Sequence, residues 1–390
     1  MKACDVGTMW LVKGEIDEID DSGVSFQMER NVFAEVQKSL EDPDEVLKEN
    51  NYTYIKYKNR YYVVGEDVFK VHDIESLFKG SGQSSYFSEV RRPMRDGLIN
   101  TAEDKMSIAI IQAIIKKLVG KPSVENEVLC FCVPGDPVTS NANVLFHRMM
   151  LTNFIKSLGY TPECINEALA LIFSECPTSE DPDEEGGVAK FSGLGISMGA
   201  GMCNLTLSWK QIPLLSFSVE HCGDWIDHEA AKIAGCDVAT ITKYKEKHFS
   251  FGEDSAELKH MALNVYYEAM MNNVIENFSS RFKKMEDEEK RDIPLEIVIG
   301  GGTASVPGFA EKFASLLKAT DLPFKVKDVR MAKNPLFSVC NGCLIKAISV
   351  ESKLNKKPKK EPSSETTPKE DKQTTSNKEN LPKKIKLNKE

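Results

Sequence analysis

The chain has 390 residues, 41% hydrophobic and 28% charged, a globular composition too long for one ordinary core, so two lobes are expected and wholesale disorder is excluded. Residues 351–390 hold 12 lysines against 7 acids, a local +5, which within a net charge of −9 leaves −14 on residues 1–350. An acidic body repels phosphate backbones, so nucleic-acid or membrane-surface contact is expected only through the tail.

In chain order, residues 2–13 read as strand, tight turn at Gly7-Thr8 and strand. Segments 24–36 and 51–64 continue with alternating β-branched and aromatic residues. Met106, Ile110, Ile114 and Leu118 recur at spacing four, which predicts a helix over 101–119. Residues 127–133 form an apolar strand ending at Pro134-Gly135. Helices are expected at 143–158 and 166–174, with a short extended piece near Tyr160-Thr161 between them. The stretch 177–187 (PTSEDPDEEGG) reads as an acidic surface loop. Residues 193–207 give strand, glycine turn and strand, with a third strand at 214–220. Helices follow at 225–234, 239–246 and 256–284. A strand at 296–299 runs into three glycines, and helices are expected at 308–317 and 336–350. From about Glu351 the chain is rich in Lys, Pro, Ser, Thr and Asn, which predicts disorder.

Segment 108–119 is broken by Gln112, Lys116 and Lys117, so no membrane-spanning helix is expected. The N-terminus lacks a signal-peptide pattern. Ten cysteines are scattered, mostly in apolar segments, as reduced buried thiols are. The expected location is the cytoplasm.

Two hairpins carry the chemistry. Backbone N–H groups in a tight turn form a nest for phosphate oxygens, with glycine where a side chain would hold the phosphate off. Asp5 beside the Gly7-Thr8 turn would hold Mg²⁺ through water, since Mg²⁺ keeps most of its hydration shell. One such hairpin is equally an ordinary turn. A second, Ser197-Met198-Gly199-Ala200-Gly201-Met202, follows some 190 residues later. Read together they predict a duplicated α/β architecture, each half giving one hairpin to a shared cleft. Gly300-Gly301-Gly302-Thr303 would let a flat adenosine approach the backbone, or close a structural turn. Glu167 at a helix start would orient a water towards a γ-phosphate, or complement the helix dipole.

The ordered set DVGT, RRPMRDGLI, INEALALIFSE, GISMGAGMCNL, HCGDWID, TKYKEK, IVIGGGTASVPGF and NPLFSVCNGCLIKA resembles the actin superfamily of ATPases. In length and texture it is most similar to prokaryotic filament proteins of the MreB, MamK and ParM kind, over about residues 1–350. The resemblance implies a two-lobed α/β fold of duplicated ribonuclease-H-like halves around a nucleotide cleft, divided at 1–165 and 166–350, with a disordered tail at 351–390. It implies a first phosphate motif at Asp5, Gly7 and Thr8, with Asp5 holding Mg²⁺ through water. Glu167 takes the water-orienting position, and Ser197, Gly199, Ala200, Gly201 and Met202 the second phosphate motif. Gly223, Asp224 and Asp227 match a segment beside the cleft, and Lys245 and Glu246 the pair that contacts ribose and adenine. Gly300, Gly301, Gly302 and Thr303 match the adenosine motif. The family usually has Asp where Ser197 stands, so ATP binding with slow hydrolysis is expected.

What the resemblance implies for function is an ATP- and Mg²⁺-dependent homopolymer, assembled head to tail, with a cargo or adaptor on the tail. A non-polymerising nucleotide-binding regulator or scaffold, or a chaperone-like ATPase, is the alternative. Only a lysine-rich tail follows the body, not a substrate-binding β-domain. Cys340-x-x-Cys343 lacks the well-spaced second pair that a zinc site needs and reads as helix packing. His221 and His228 flank acids within the segment already matched to the cleft, so no metal is expected there. The basic clusters at 356–360 and 383–386 read as solvated tail, or as polyanion, membrane-surface or partner docking.

Overall fold

The computed structural model describes residues 1–17, 23–37, 40–78, 85–138, 144–175, 179–180, 188–189, 191–285 and 294–355. The expected tail from residue 356 and the centre of the acidic loop, 181–187, lie outside the described residues. Two five-stranded sheets organise the chain. Across the first run Thr161–Asn166, Val128–Val133, Lys2–Val6, Trp10–Ile16 and Val24–Arg30. The first two pairings are parallel and the last two antiparallel. Across the second run Val326–Met331, Leu295–Gly300, Gly193–Met198, Cys203–Trp209 and Ile212–Val219, with the same sequence of parallel and antiparallel pairings. Order and sense thus repeat: the duplication is one of topology. Each sheet has one inner strand buried along its whole length, Val128–Val133 in the first and Gly193–Met198 in the second. A strand covered on both faces needs a continuous apolar run, and VLCFCV supplies one.

Helices Ser107–Val119 and Val144–Ser157 cover one face of the first sheet. Helices Gly223–Ala234, Leu258–Lys284 and Phe309–Ala319 cover the outer face of the second. Between the sheets lies a third core, with Val128 and Cys130 from one sheet, Val298 from the other, and Leu171, Ile172, Cys340 and Leu344 from two helices. Those helices, Glu167–Glu175 and Ser338–Asn355, touch closely: a Cβ added at Gly342 would lie 1.7 Å from the Ala170 carbonyl oxygen. The C-terminal helix therefore packs back on the first sheet.

Several boundaries differ from those expected. The helix expected from residue 101 starts at Ser107. The Ser107 hydroxyl donates to the Asn100 carbonyl, and Asp104 accepts the Met106 N–H, so 101–104 form a turn ahead of it. The last helix runs to Asn355, so residues 351–355 are helical rather than tail. Helices Pro43–Glu49 and Asp67–Phe78 were not foreseen. With the three-stranded sheet Phe33–Glu35, Arg60–Val64 and Tyr54–Tyr57 they close a small separate core around Leu47, Val63 and Val68. No helix among the described residues is long and apolar enough to cross a membrane.

Candidate functional site

The first hairpin is closed by the Gly7 N–H donating to the Trp10 carbonyl, 3.1 Å. The second is closed by the Gly199 N–H donating to the Met202 carbonyl, 3.0 Å. Both turns leave their tip amides outside the strand ladder. The tips meet: a Cβ on Gly201 would lie 2.7 Å from Thr8 Oγ1 and 2.3 Å from the Gly97 nitrogen. Above them opens a cleft of about 480 Å³ lined by both halves.

The second hairpin anchors two neighbours. Thr303 Oγ1 donates to the Gly199 carbonyl at 2.7 Å, and the Asp224 N–H donates to the Ala200 carbonyl at 2.8 Å. The 300–303 turn and the start of helix Gly223–Ala234 thus converge on one hairpin. Asp227, almost fully buried, pairs with Lys245 at 2.7 Å and accepts from the Thr242 hydroxyl at 2.7 Å. Asp224 pairs with Arg92 of the first half, 2.7 Å, an ion pair that joins the two halves. Glu246, Gly223 and Met202 line the same cleft.

Two carboxylates lie on the cleft floor. The Cys132 thiol donates to Asp5 Oδ1 at 3.1 Å. Asn204 Nδ2 donates to Glu167 Oε2 at 2.8 Å, and the Gly135 N–H holds Asn204 Oδ1 at 2.9 Å. Loss of water around the acid pushes Glu167 up to about 8, helped by the charge of Asp5, and pushes Asp5 up to about 6 against the Cys132 hydrogen bond. Two desolvated acids that resist joint ionisation suit a compensating cation. Glycine-cleared tips beside them suit a phosphate chain, so these residues fit a Mg²⁺–polyphosphate. Ser197 occupies the place in the second hairpin that Asp5 holds in the first, two residues before the leading glycine, and is buried. It faces Asn204 across the ladder.

Of the residues matched to the nucleotide motifs, Gly300 alone does not line the cleft. A Cβ there would meet Leu171, 2.8 Å away in the core between the sheets. Gly301 does line it, yet its missing side chain makes room for protein: a Cβ would lie 2.3 Å from the Met198 carbonyl oxygen. Gly302 is the glycine open to a ligand, its nearest neighbour being Leu336 at 3.8 Å. Sequence reasoning missed Asn204, Cys132, Trp10, Arg30 and Pro335-Leu336, all at or beside the cleft. Asn204 could have been found by counting strand register outward from the second hairpin, where Met198 faces Cys203 and Ser197 faces Asn204. His221 packs against Trp225 with the rings tilted by 34° and their centroids 5.2 Å apart, and His228 lines the neighbouring groove. Cys340 and Cys343 are buried helix-packing residues. No cluster of three or more metal-ligating side chains occurs among the described residues.

Two topologically identical sheets, joined through paired helices and meeting at two glycine hairpins, give the chain an actin-like fold. A MamK double helical filament is similar to the chain, with 17% identity over 89% of this chain and 98% of that one and a TM-score of 0.61. MreB 5 of Spiroplasma citri bound to AMPPNP is similar at 15% identity over 91% and 97%, with a TM-score of 0.61. A non-polymerising MamK mutant bound to AMPPNP has 17% identity over 89% and 98%, with a TM-score of 0.54. At such identities the likeness is one of fold. The sequence model of the Volactin family matches residues 1–347, and the chain belongs to that family. It matches no curated protein sequence.

Proposed function

We propose that the cleft binds ATP with Mg²⁺ and that nucleotide-bound protomers assemble head to tail into filaments, with slow hydrolysis. The reading rests above all on the two hairpin tips, Gly7–Trp10 and Gly199–Met202, facing one another beside Asp5 and Glu167. The fold shared with a MamK filament and with AMPPNP-bound MreB 5 supports it. In this proposal the tip amides of both hairpins cradle the phosphates, and Asp5 takes the cation through water. Lys245 and Glu246 hold the ribose and base side, with Gly302 and Thr303 opposite. Glu167, held by Asn204, orients a water for attack. When bound, Mg²⁺ neutralises phosphate charge that the cleft's own acids would repel. Because both halves touch the nucleotide, binding biases the closed shape, and a heterologous contact that does not close gives an open filament.

Units 1–165 and 166–350 are proposed as the two lobes. The segment 351–390 is proposed as a docking tail for a cargo or adaptor in the cytoplasm. Sedimentation and negative-stain microscopy at micromolar protein test the assembly. ATP–Mg²⁺ should produce a pellet and filaments that EDTA removes. A chain that binds ATP yet stays monomeric across salt, pH and concentration would instead be a nucleotide-binding regulator.

A further inference from the structure

The described lining of the cleft carries five carboxylates, Asp5, Glu167, Asp224, Asp227 and Glu246, against two cations, Arg30 and Lys245. Lys245 is held by Asp227 at 2.7 Å. An anionic phosphate chain entering this cleft therefore meets one cation that is not committed to a buried acid. Arg30 ends strand Val24–Arg30, and its register partner is Trp10, the residue that closes the first hairpin. The next residue ties this strand end to the turn itself: Asn31 Nδ2 donates to the Gly7 carbonyl at 2.9 Å, and the Asn31 N–H donates to the Met9 carbonyl at 3.0 Å. The guanidinium carbon sits over the face of the Trp10 ring, 3.8 Å from its centroid. Its ionic partner, Glu66, is 42% exposed and 3.5 Å away, a loose pair that water can replace. Contact with the ring holds the guanidinium in place and leaves its terminal N–H groups, beyond the Nε that faces Glu66, to donate to phosphate oxygens.

We infer that Arg30, braced on Trp10, is a phosphate-binding residue of this cleft and makes it selective for nucleoside polyphosphates over the bare nucleoside. The inference rests on the nucleotide reading above. Arg30 marks the phosphate side, while Lys245 and Glu246 mark the other end. This geometry asks for arginine in particular, because lysine offers a point charge without the planar fork.

Calorimetry on the full chain tests it, with ATP–Mg²⁺ and adenosine as ligands for the natural protein, Arg30→Gln and Arg30→Lys, and a melting temperature for each. Arg30→Gln should weaken ATP about tenfold or more, the usual scale for losing a hydrogen bond to a charged group. Adenosine affinity should stay within about twofold, and Arg30→Lys should fall between. Unchanged ATP affinity in Arg30→Gln, or equal losses for ATP and adenosine, would overturn the assignment. Should Arg30→Gln not fold, Arg30→Lys decides alone: a loss for ATP but not adenosine supports the inference, and no loss overturns it. A natural chain that binds neither ligand would overturn the nucleotide reading itself, an outcome distinct from a failure of Arg30.

Discussion

His147, on helix Val144–Ser157, is 1% exposed, with no hydrogen-bond partner at either ring nitrogen. Burial alone holds its imidazole down to about 4. The unfolded chain protonates this ring near 6.5 and the folded one resists it, so stability falls as pH drops from about 6.5 to about 4. Glu167 acts with the opposite sign: the fold keeps its proton to about 8, so its contribution to stability declines as pH rises from about 4.3 through 8. Melting curves against pH for His147→Leu and for Glu167→Gln should therefore differ from the natural protein in opposite directions. A His147→Leu curve that parallels the natural one would show that the ring is hydrated. Under the proposed function, Ser197 stands where a carboxylate would help hold hydrated Mg²⁺, and losing one preorganised group costs on the order of 10²–10³ in rate. Ser197→Asp should raise ATP turnover, and Glu167→Ala should abolish the remainder while ATP still binds. Phosphate-release assays read both. If neither changes the rate, Glu167 serves its helix end and another group orients the water.

The turn after strand Leu295–Gly300 separates two roles that its sequence merges. Gly301→Val should destabilise the fold, because its Cβ would enter the Met198 backbone at a φ of +94°. Gly302→Val should keep the melting temperature and, under the proposed function, weaken nucleotide binding, because Gly302 lines the cleft with no protein atom nearer its Cβ position than Leu336 at 3.8 Å. Equal stability of the two variants would contradict the packing described. Three adjacent glycines look alike in a sequence, and only the neighbouring hairpin distinguishes them. The same contrast runs through the other elements. Central strands such as Val128–Val133 were legible because burial on both faces demands an uninterrupted apolar run. Edge strand Val326–Met331 (VKDVRM) was not, because nothing in its composition marks one buried face. Helix Ser107–Val119 was read six residues long at its start, because the turn formed around Asn100 and Asp104 is a matter of side-chain hydrogen bonds. Arg30 is hidden for a related reason: it joins the site through its cross-strand partner Trp10, and the connection between residues 17 and 23 gives no short turn to count this register from, whereas the short glycine turn fixes Asn204 opposite Ser197.

At the scale of the molecule, both sheets share one core with helices Glu167–Glu175 and Ser338–Asn355, so neither half is expected to unfold alone. Gly342→Ala should test this. The added methyl would overlap the Ala170 carbonyl, and overpacking of this kind costs about 1–3 kcal/mol. Calorimetry should show one transition moved down as a unit, whereas two separated transitions would mean independent halves. A duplication into two α/β halves is legible in the paired hairpins, whereas the strand order that the two sheets share is not. The return of the C-terminal helix to the first sheet is not legible either, because long-range packing leaves no local mark. The Arg92–Asp224 pair sets a different kind of limit. It bridges the halves beside the cleft, so under the proposed function a bound nucleotide would not leave by parting of the halves until the pair breaks. Both partners are about one-third exposed, and dissolved ions compete for them. Residence time should therefore shorten as ionic strength rises, and Arg92→Ala should release nucleotide sooner while losing most of that salt sensitivity, making background electrolyte a control on how long each protomer keeps its nucleotide.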